Sequence, residues 1–222
     1  MLKTRFQSDS AIEAGIDEVG RGCLWGPLVA GAVIWLPEEE WSEEVRELTP
    51  QIKDSKKLSE KRRTTLAAQI HGAALDVGIG EVTPTEIDSL GMTRANQLAF
   101  SRALEALTVE PDRLLVDGII PLQSVSQEQH TIIEGDAQYV PIAAASILAK
   151  VYRDTLVTEW CDTHTADADT YGLRTSKGYG TAIHRAAITQ HGILPLHRRL
   201  FLRKILGENV YERPEEQCQI QD

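Results

Sequence analysis

Residues 15–22 read Gly15-Ile16-Asp17-Glu18-Val19-Gly20-Arg21-Gly22, an apolar strand that ends in two adjacent carboxylates and runs straight into a Gly-Arg-Gly turn. A strand sends neighbouring side chains to opposite faces. At least one of the two acids must therefore point to the covered side of any sheet the strand joins. Burying a carboxylate costs several kcal/mol unless a charge compensates it. The glycines that follow let the backbone come close to a ligand. The combination points to a metal site beside a backbone-lined nucleic-acid or phosphate site.

Outward from this stretch, residues 11–17 and 28–36 predict two strands joined by the glycine-rich turn as a hairpin. Ser59 predicts a cap for a helix over 60–75. A strand is expected near 76–80, and after a Thr-Pro-Thr segment a helical pattern is clearest over 92–107. Residues 113–117 (RLLVD) form a short buried strand that ends in an acid and Gly118. Residues 131–133 are a second short apolar run, ahead of Glu134-Gly135-Asp136. The clearest helix covers 144–160, with Ile147, Leu148, Val151 and Thr155 on one stripe, and its Ala-Ala-Ala-Ser opening lets it lie close to a sheet. Residues 171–180 predict a loop, and helical pattern returns at 181–191 and 198–206. Strands first, then mixed strands and helices, give an α/β fold with a mixed central sheet flanked by helices. A single domain over 1–222 is expected, with a core of about 11–160, a C-terminal helical region of about 165–208 and a tail of about 209–222.

The chain has 222 residues, 42% of them hydrophobic, enough for one sizeable core. Its longest apolar run, 28–36, is about half of the ~20 residues that cross a bilayer. The N-terminus carries no apolar signal region, and Cys23, Cys161 and Cys218 match no zinc spacing. A cytoplasmic protein with reduced thiols, no membrane contact and a monomeric state is expected. The net charge of −10 argues against nonspecific coating of nucleic acid, which needs a positive face. Charge distribution matters more than the sum. Lys53, Lys56, Lys57, Lys61, Arg62 and Arg63 form one basic group, and Arg198, Arg199, Arg203 and Lys204 another. Each also reads as a solvated helix face.

Asp17 with Glu18, Asp117 and Asp136 each end or follow a short apolar strand. If those strands are neighbours, four carboxylates converge at one sheet edge. Two like charges 4 Å apart repel by roughly 4 kcal/mol at an effective dielectric of 20, so such a cluster needs cations or protons. Oxygen ligands without His or Cys favour Mg²⁺ or Mn²⁺. Two such ions about 3.5–4 Å apart can activate a water and stabilise the leaving oxygen in phosphodiester hydrolysis. Acids after strands also serve as helix caps and turn formers, and spacing alone does not bring them together.

The blocks GIDEVGRG with GPLVAGAVI, DSKKLSEKRR, LLVDG, AASILAKVYRD and KGYGTAIH, in this order from about residue 14 to 201, resemble bacterial ribonuclease HII. The resemblance implies a ribonuclease H-like fold and endonucleolytic cleavage of RNA in RNA–DNA hybrids. It also implies incision 5′ of single ribonucleotides in duplex DNA, leaving 3′-hydroxyl and 5′-phosphate ends. It makes Asp17, Glu18, Asp117 and Asp136 the catalytic, metal-binding carboxylates of a two-metal Mn²⁺ or Mg²⁺ site, with Asp154 a lower-ranked rival to Asp136. The implied substrates are RNA–DNA hybrids and ribonucleotide-containing duplex DNA. In the Gly20-Arg21-Gly22 turn, backbone groups would reach the 2′-hydroxyl, the group that separates RNA from DNA. Tyr179 resembles the aromatic that packs on the deoxyribose beside the junction. Ser55, Lys56, Lys57, Lys177 and Arg198 are candidates for phosphate contacts, which position rather than read sequence. The related type HIII enzymes carry a further N-terminal domain, and none is expected ahead of a motif that begins at residue 15. Four positions depart from the family's pattern. Cys23 stands for a usual proline, Ser176 for a frequent histidine, Leu200 for a small polar residue and Ala143 for a serine. These bear on fine substrate positioning and remove no proposed metal ligand.

Other readings stay open on the residues. A resolvase- or transposase-like metal nuclease would share the acids but has no use for a 2′-hydroxyl sensor. A binding module without catalysis would not need all four acids. A phosphate-binding loop lacks the P-loop lysine spacing.

Overall fold

The computed structural model describes residues 1–123 and 125–207. The expected tail, with Cys218, lies outside the described residues. In chain order the strands are β1 (Glu13–Val19), β2 (Leu28–Ile34), β3 (Asp76–Val82), β4 (Arg113–Asp117) and β5 (Glu128–Ile132). The helices are α1 (Glu43–Leu48), α2 (Glu60–Ala73), α3 (Pro84–Leu90), α4 (Met92–Glu105), α5 (Val140–Thr163), α6 (Thr165–Thr170), α7 (Leu173–Ser176), α8 (Ala182–His191) and α9 (Arg199–Leu206). One five-stranded sheet runs in the order β3-β2-β1-β4-β5. β1 and β2 pair antiparallel, as do β2 and β3, whereas β1 with β4 and β4 with β5 are parallel. The expected mixed sheet is present.

Glycine and alanine set how closely the helices approach. On one face, α4 lays Ala95, Ala99 and Ala103, one helical turn apart, against β3. A Cβ on Gly78 would stand 2.0 Å from the Ala103 carbonyl oxygen, and one on Gly80 2.1 Å from that of Ala99. On the other face, a Cβ on Gly15 would stand 2.2 Å from the Pro141 backbone, and one on Gly31 2.5 Å from the Ala145 oxygen. α5 therefore lies directly on β1 and β2. Ile16, Ala30, Phe100 and Val116 fill the α4 side of the sheet, and Val33, Leu66, Ile70, Ala144 and Ile147 the α5 side. A third cluster, with Trp25, Tyr171, Leu173, Ile188 and Leu202, joins the C-terminal helices to the segment after β1.

Several sequence expectations differ in detail. The long helix starts at Val140, earlier than the alanine run, because Pro141 fits its first turn. Residues 171–180 are not all loop: α7 makes one turn between left-handed Gly172 and Lys177. The second apolar run is displaced, with β5 at Glu128–Ile132. Ser59 and Thr181 cap α2 and α8, accepting from Arg62 N and His184 N at 3.3 Å each. No helix among the described residues is long and apolar enough to cross a membrane.

Two buried histidines tie the C-terminal region together. Leu194 N donates to His197 Nδ1 at 2.7 Å, which leaves the proton of a neutral His197 on Nε2. That proton faces His184 Nε2 at 3.0 Å, and His184 Nδ1 faces the Tyr179 carbonyl at 2.9 Å. One neutral tautomer of each ring satisfies the whole chain. Burial pushes His184 down, and burial with the His184 neighbour pushes His197 down to about 3.

The glycine contacts predict that Gly31→Ala lowers stability by about 1–3 kcal/mol through overpacking against α5. Gly72→Ala, on open helix surface with nothing within 4 Å, is expected to raise it by roughly 0.5–1 kcal/mol. Urea midpoints check both, and equal midpoints for the two variants contradict the packing account. The histidine pair sets a direction with pH. Both folded pKa values lie below the unfolded value near 6.5, so the unfolded chain takes up protons first on acidification. Their contribution is full above about pH 6.5 and is lost as pH falls through the folded values. His197→Phe is expected to flatten the fall in melting temperature between about pH 6.5 and 4.

Candidate active site

The parallel pairing of β1 with β4 aligns Ile16 with Val116, so the next residues, Asp17 and Asp117, leave the same end of the sheet side by side. β4 pairs in turn with β5, Asp117 opposite Ile132, and β5 leads into the turn at Gly135–Ala137 that carries Asp136. A left-handed Glu134, φ 52°, precedes Gly135, whose N–H donates to Asp117 Oδ1 at 2.7 Å. Carboxyl ends of parallel strands are where α/β sheets place their ligand sites.

The two adjacent acids divide between the faces as a period of 2 requires. Asp17 turns toward α5, where it shares the cleft wall with Ser146, and its Oδ1 accepts from Glu18 N at 2.7 Å. Glu18 turns toward α4 and lines a cavity with Asn96, with Arg21 Nη1 3.6 Å from its Oε1. Burial, then the charges of Asp117 and Glu18, push Asp17 well above the ordinary carboxylate range. Burial and the charge of Asp136 raise Asp117, against the lowering by the Gly135 N–H and the Lys56 charge. Burial raises Glu18 against the lowering by Arg21. Asp136, 5% exposed, lies 3.5 Å from Lys56 Nζ. Burial pulls that lysine down, but the charges of Asp136, Asp17 and Asp54 outweigh it and hold it up.

The chemistry of this donor set fits a hard divalent cation: oxygen ligands only, partly desolvated, repelling one another and drawing in a lysine. Among the described residues, no three His, Cys, Asp or Glu side chains converge tightly enough to enclose one ion. The structure thus places the four acids as neighbours rather than as a formed coordination shell.

A cleft of about 250 Å³ opens beside them, lined by Asp17, Glu18, Asp117, Gly20, Arg21, Gly22, Ser55, Lys56 and Tyr179. Its wall also holds Arg63, Ser146 and Lys150, which the motif reading missed. The signal was available, since Ser146, Lys150 and Asp154 recur every fourth residue along α5 and share a face. Asp154 itself is bound by Lys150 at 2.7 Å and faces Arg63 at 3.9 Å, an ion pair on the helix. A second cavity, of about 260 Å³, continues from Glu18 and Asp117 past Asn96 to Ile119, Ile120 and Ile133.

The other expected substrate residues separate. Tyr179 is 41% exposed at the cleft, and burial of its hydroxyl end pushes it up to about 12. Cys23 and Tyr179 form an isolated bridge that holds the two glycine-rich segments together. Ser55 lines the cleft, but its hydroxyl is shared with Ser146 at 3.0 Å. Lys57 lies 3.6 Å from Asp54 and is well exposed. Lys177 Nζ is held by Thr158 at 3.0 Å and faces Glu60 at 3.7 Å. Arg198 is a correction: it is fully buried, and its Nε and Nη1 donate to the carbonyls of Gly20, Arg21 and Gly26. It cannot meet a phosphate at the surface. A basic run does not reveal which of its members turns inward.

Two departures from the family pattern have visible consequences. Cys23 keeps an N–H that a proline lacks, and donates it to the Gly20 carbonyl at 3.2 Å, closing the turn. Ser176 Oγ accepts from Gly178 N at 3.3 Å. Ala143 is fully buried on α5. The Leu200 amide is bound by Asp88 Oδ1 at 2.8 Å, and nothing in the structure explains its side chain.

Comparison with known proteins identifies the family and the fold. The family model described as Ribonuclease HII matches residues 14–204. The chain is 44% identical over 192 residues to ribonuclease HII of Nostoc sp., covering 86% of this chain and 82% of that one. It is also 44% identical over 203 residues to ribonuclease HII of Porphyromonas gingivalis, covering 90% and 94%. Among solved structures it resembles ribonuclease H2 of Pyrococcus horikoshii, with TM-score 0.71 and 27% identity over 90% of this chain and 99% of that one. The mixed sheet with its flanking helices is thus a ribonuclease H-like fold. By fold, by site and by sequence, the chain belongs to the ribonuclease HII family of endoribonucleases.

Proposed function

We propose that this protein cleaves the RNA strand of RNA–DNA hybrids and incises 5′ of single ribonucleotides embedded in duplex DNA, leaving 3′-hydroxyl and 5′-phosphate ends. The carrying observation is a single cleft that holds Asp17, Glu18 and Asp117 together with the Gly20–Gly22 turn and Tyr179. A Cβ at Gly22 would meet nothing within 4 Å. Packing within the chain therefore does not demand glycine there, whereas close approach of a ligand does.

In this reading Asp17, Glu18, Asp117 and Asp136 would hold divalent Mg²⁺ or Mn²⁺. Such cations, when bound, lower the pKa of a water and neutralise charge on the phosphate oxygens. The chain's own groups do the rest. The Gly20–Gly22 backbone meets the ribose 2′-hydroxyl, the group that distinguishes RNA from DNA. Tyr179 offers a flat apolar face to the neighbouring deoxyribose, and Lys56 meets backbone phosphate, with Lys57 and Lys177 as outer contacts. Removal of lone ribonucleotides from DNA is the repair role that follows. The proposal includes a monomer at work in the cytoplasm, and the free, buried Cys23 and Cys161 support a reducing compartment.

Asp117→Asn is expected to lower cleavage of a single-ribonucleotide duplex by at least about 100-fold in Mg²⁺ or Mn²⁺. Undiminished turnover would falsify the assignment. Cutting of an all-DNA junction but not of a hybrid would favour a resolvase instead. Cation binding is also readable as stability. A hundredfold excess of Mn²⁺ over its Kd should stabilise the wild type by about 2.7 kcal/mol. Asp17→Asn removes a buried charge beside two others, so it is expected to melt higher than wild type in chelator and to gain little from Mn²⁺. A wild-type melting temperature indifferent to Mn²⁺ would count against the carboxylate site.

A further inference from the structure

Two arginines lie beneath the Gly20–Gly22 turn. Arg153 on α5 and Arg198 just before α9 are both 0% exposed. Among the described residues neither is paired with a carboxylate, and every hydrogen bond that either makes goes to a backbone carbonyl. Arg153 donates to the carbonyls of Pro27 at 2.9 Å, Lys177 at 2.7 Å and Trp25 at 2.9 Å. Arg198 donates through Nε to Gly26 at 2.8 Å and through Nη1 to Gly20 at 2.7 Å and Arg21 at 3.2 Å. Its Nη2 is buried without a partner among the described residues.

Stability alone does not account for this pair. A buried, unpaired charge is costly, and apolar residues of similar volume commonly do as well or better. The bonds themselves suggest what the guanidinium groups contribute. A trans peptide is planar, with its C=O and N–H pointing in opposite directions. Holding the Gly20 and Arg21 carbonyls inward therefore turns the Arg21 and Gly22 N–H groups outward, on the side where these residues line the cleft. Neither amide donates to another group among the described residues, and the space at Gly22 is open.

Arg153 joins this turn to the Tyr179 loop. Its guanidinium is walled by three glycines, Gly20, Gly26 and Gly178, whose φ values are +88°, +84° and +85°. A Cβ on them would stand 2.3 Å from Arg153 Nε, and 3.3 Å and 3.2 Å from its Nη2. The Tyr179 ring centre is 6.0 Å from the Arg153 guanidinium carbon.

We propose that Arg198 and Arg153 are positioning residues for ribose selection: Arg198 aims the Arg21 and Gly22 amides into the cleft, and Arg153 fixes that amide pair relative to Tyr179. The proposal rests on the ribonucleotide-incising reading above. It predicts that the pair matters most where one ribose must be matched against a deoxyribose neighbour. It matters less in a long hybrid, where every register offers a ribose.

The test compares kcat/KM on a single-ribonucleotide duplex with kcat/KM on a long RNA–DNA hybrid, for wild type, Arg198→Lys and Arg153→Lys. Lysine keeps the charge but loses the fork that reaches several carbonyls at once. Each variant is expected to lower the ratio by about tenfold, equivalent to ~1.4 kcal/mol. The folded fraction cancels, because both substrates meet the same preparation. An unchanged ratio, with activity intact or uniformly reduced, overturns the proposal and leaves the function reading standing. Failure of the wild type to cut either substrate overturns the function reading and this proposal with it. Should both variants fail to fold, amide NMR of the wild type in Ca²⁺ decides. The Arg21 and Gly22 signals are expected to shift with the single-ribonucleotide duplex and not with the all-DNA duplex, and equal shifts with both overturn the proposal.

Discussion

The parallel register of β1 on β4 is the constraint on which the rest of this structure depends. It sets Asp17 beside Asp117 at one end of the sheet, where burial, with the charges of Asp117 and Glu18 on Asp17 and of Asp136 on Asp117, holds both carboxyls above their ordinary range. Like charges at such separations repel by several kcal/mol at moderate dielectric, so the surroundings must supply protons or cations. The chain offers the Lys56 ammonium, 3.5 Å from Asp136. An all-oxygen site that repels itself is suited to a hard divalent ion, and the strain of that arrangement is borne by a rigid sheet rather than by a loop.

Helix α5 carries that constraint across the molecule. It lies against β1 and β2 because Gly15 and Gly31 give it no side chain to clear. From that closeness it delivers Ser146 to Asp17, Lys150 to the cleft wall and Arg153 to the interior between the two glycine-rich segments. Further along, the buried His184–His197 pair holds the Tyr179 carbonyl from the opposite side. The four acids, the Gly20–Gly22 turn and Tyr179 are thereby referred to one frame. A displacement of α5 would move all three together.

Much of this could be read in the chain. Period 2 placed Asp17 and Glu18 on opposite faces, and the structure sends one to α5 and the other to α4. Ser59 announced its helix through local cap chemistry, which needs no distant partner. The acids at 117 and 136 were legible as strand-end residues, because short apolar runs ending in an acid and a glycine carry their own punctuation. The start of α5 was read late because an alanine run hides a helix that already begins at a proline. α7 was read as loop because a single turn between two left-handed residues has no periodicity to detect.

Arg198 marks the boundary between the two kinds of information. In sequence it is one of four nearby cations and reads as a solvated face. In the fold it is fully buried and holds the turn from beneath. By itself the sequence determined four of the five strands, the longer helices, the acids as candidates and the glycine turn, since these depend on periodicity and backbone freedom within a few residues. Only the tertiary structure decided which carboxylates are neighbours and which cations turn inward. The β1–β4 register, the approach of α5 and the direction of a long side chain all depend on packing between residues a hundred or more positions apart.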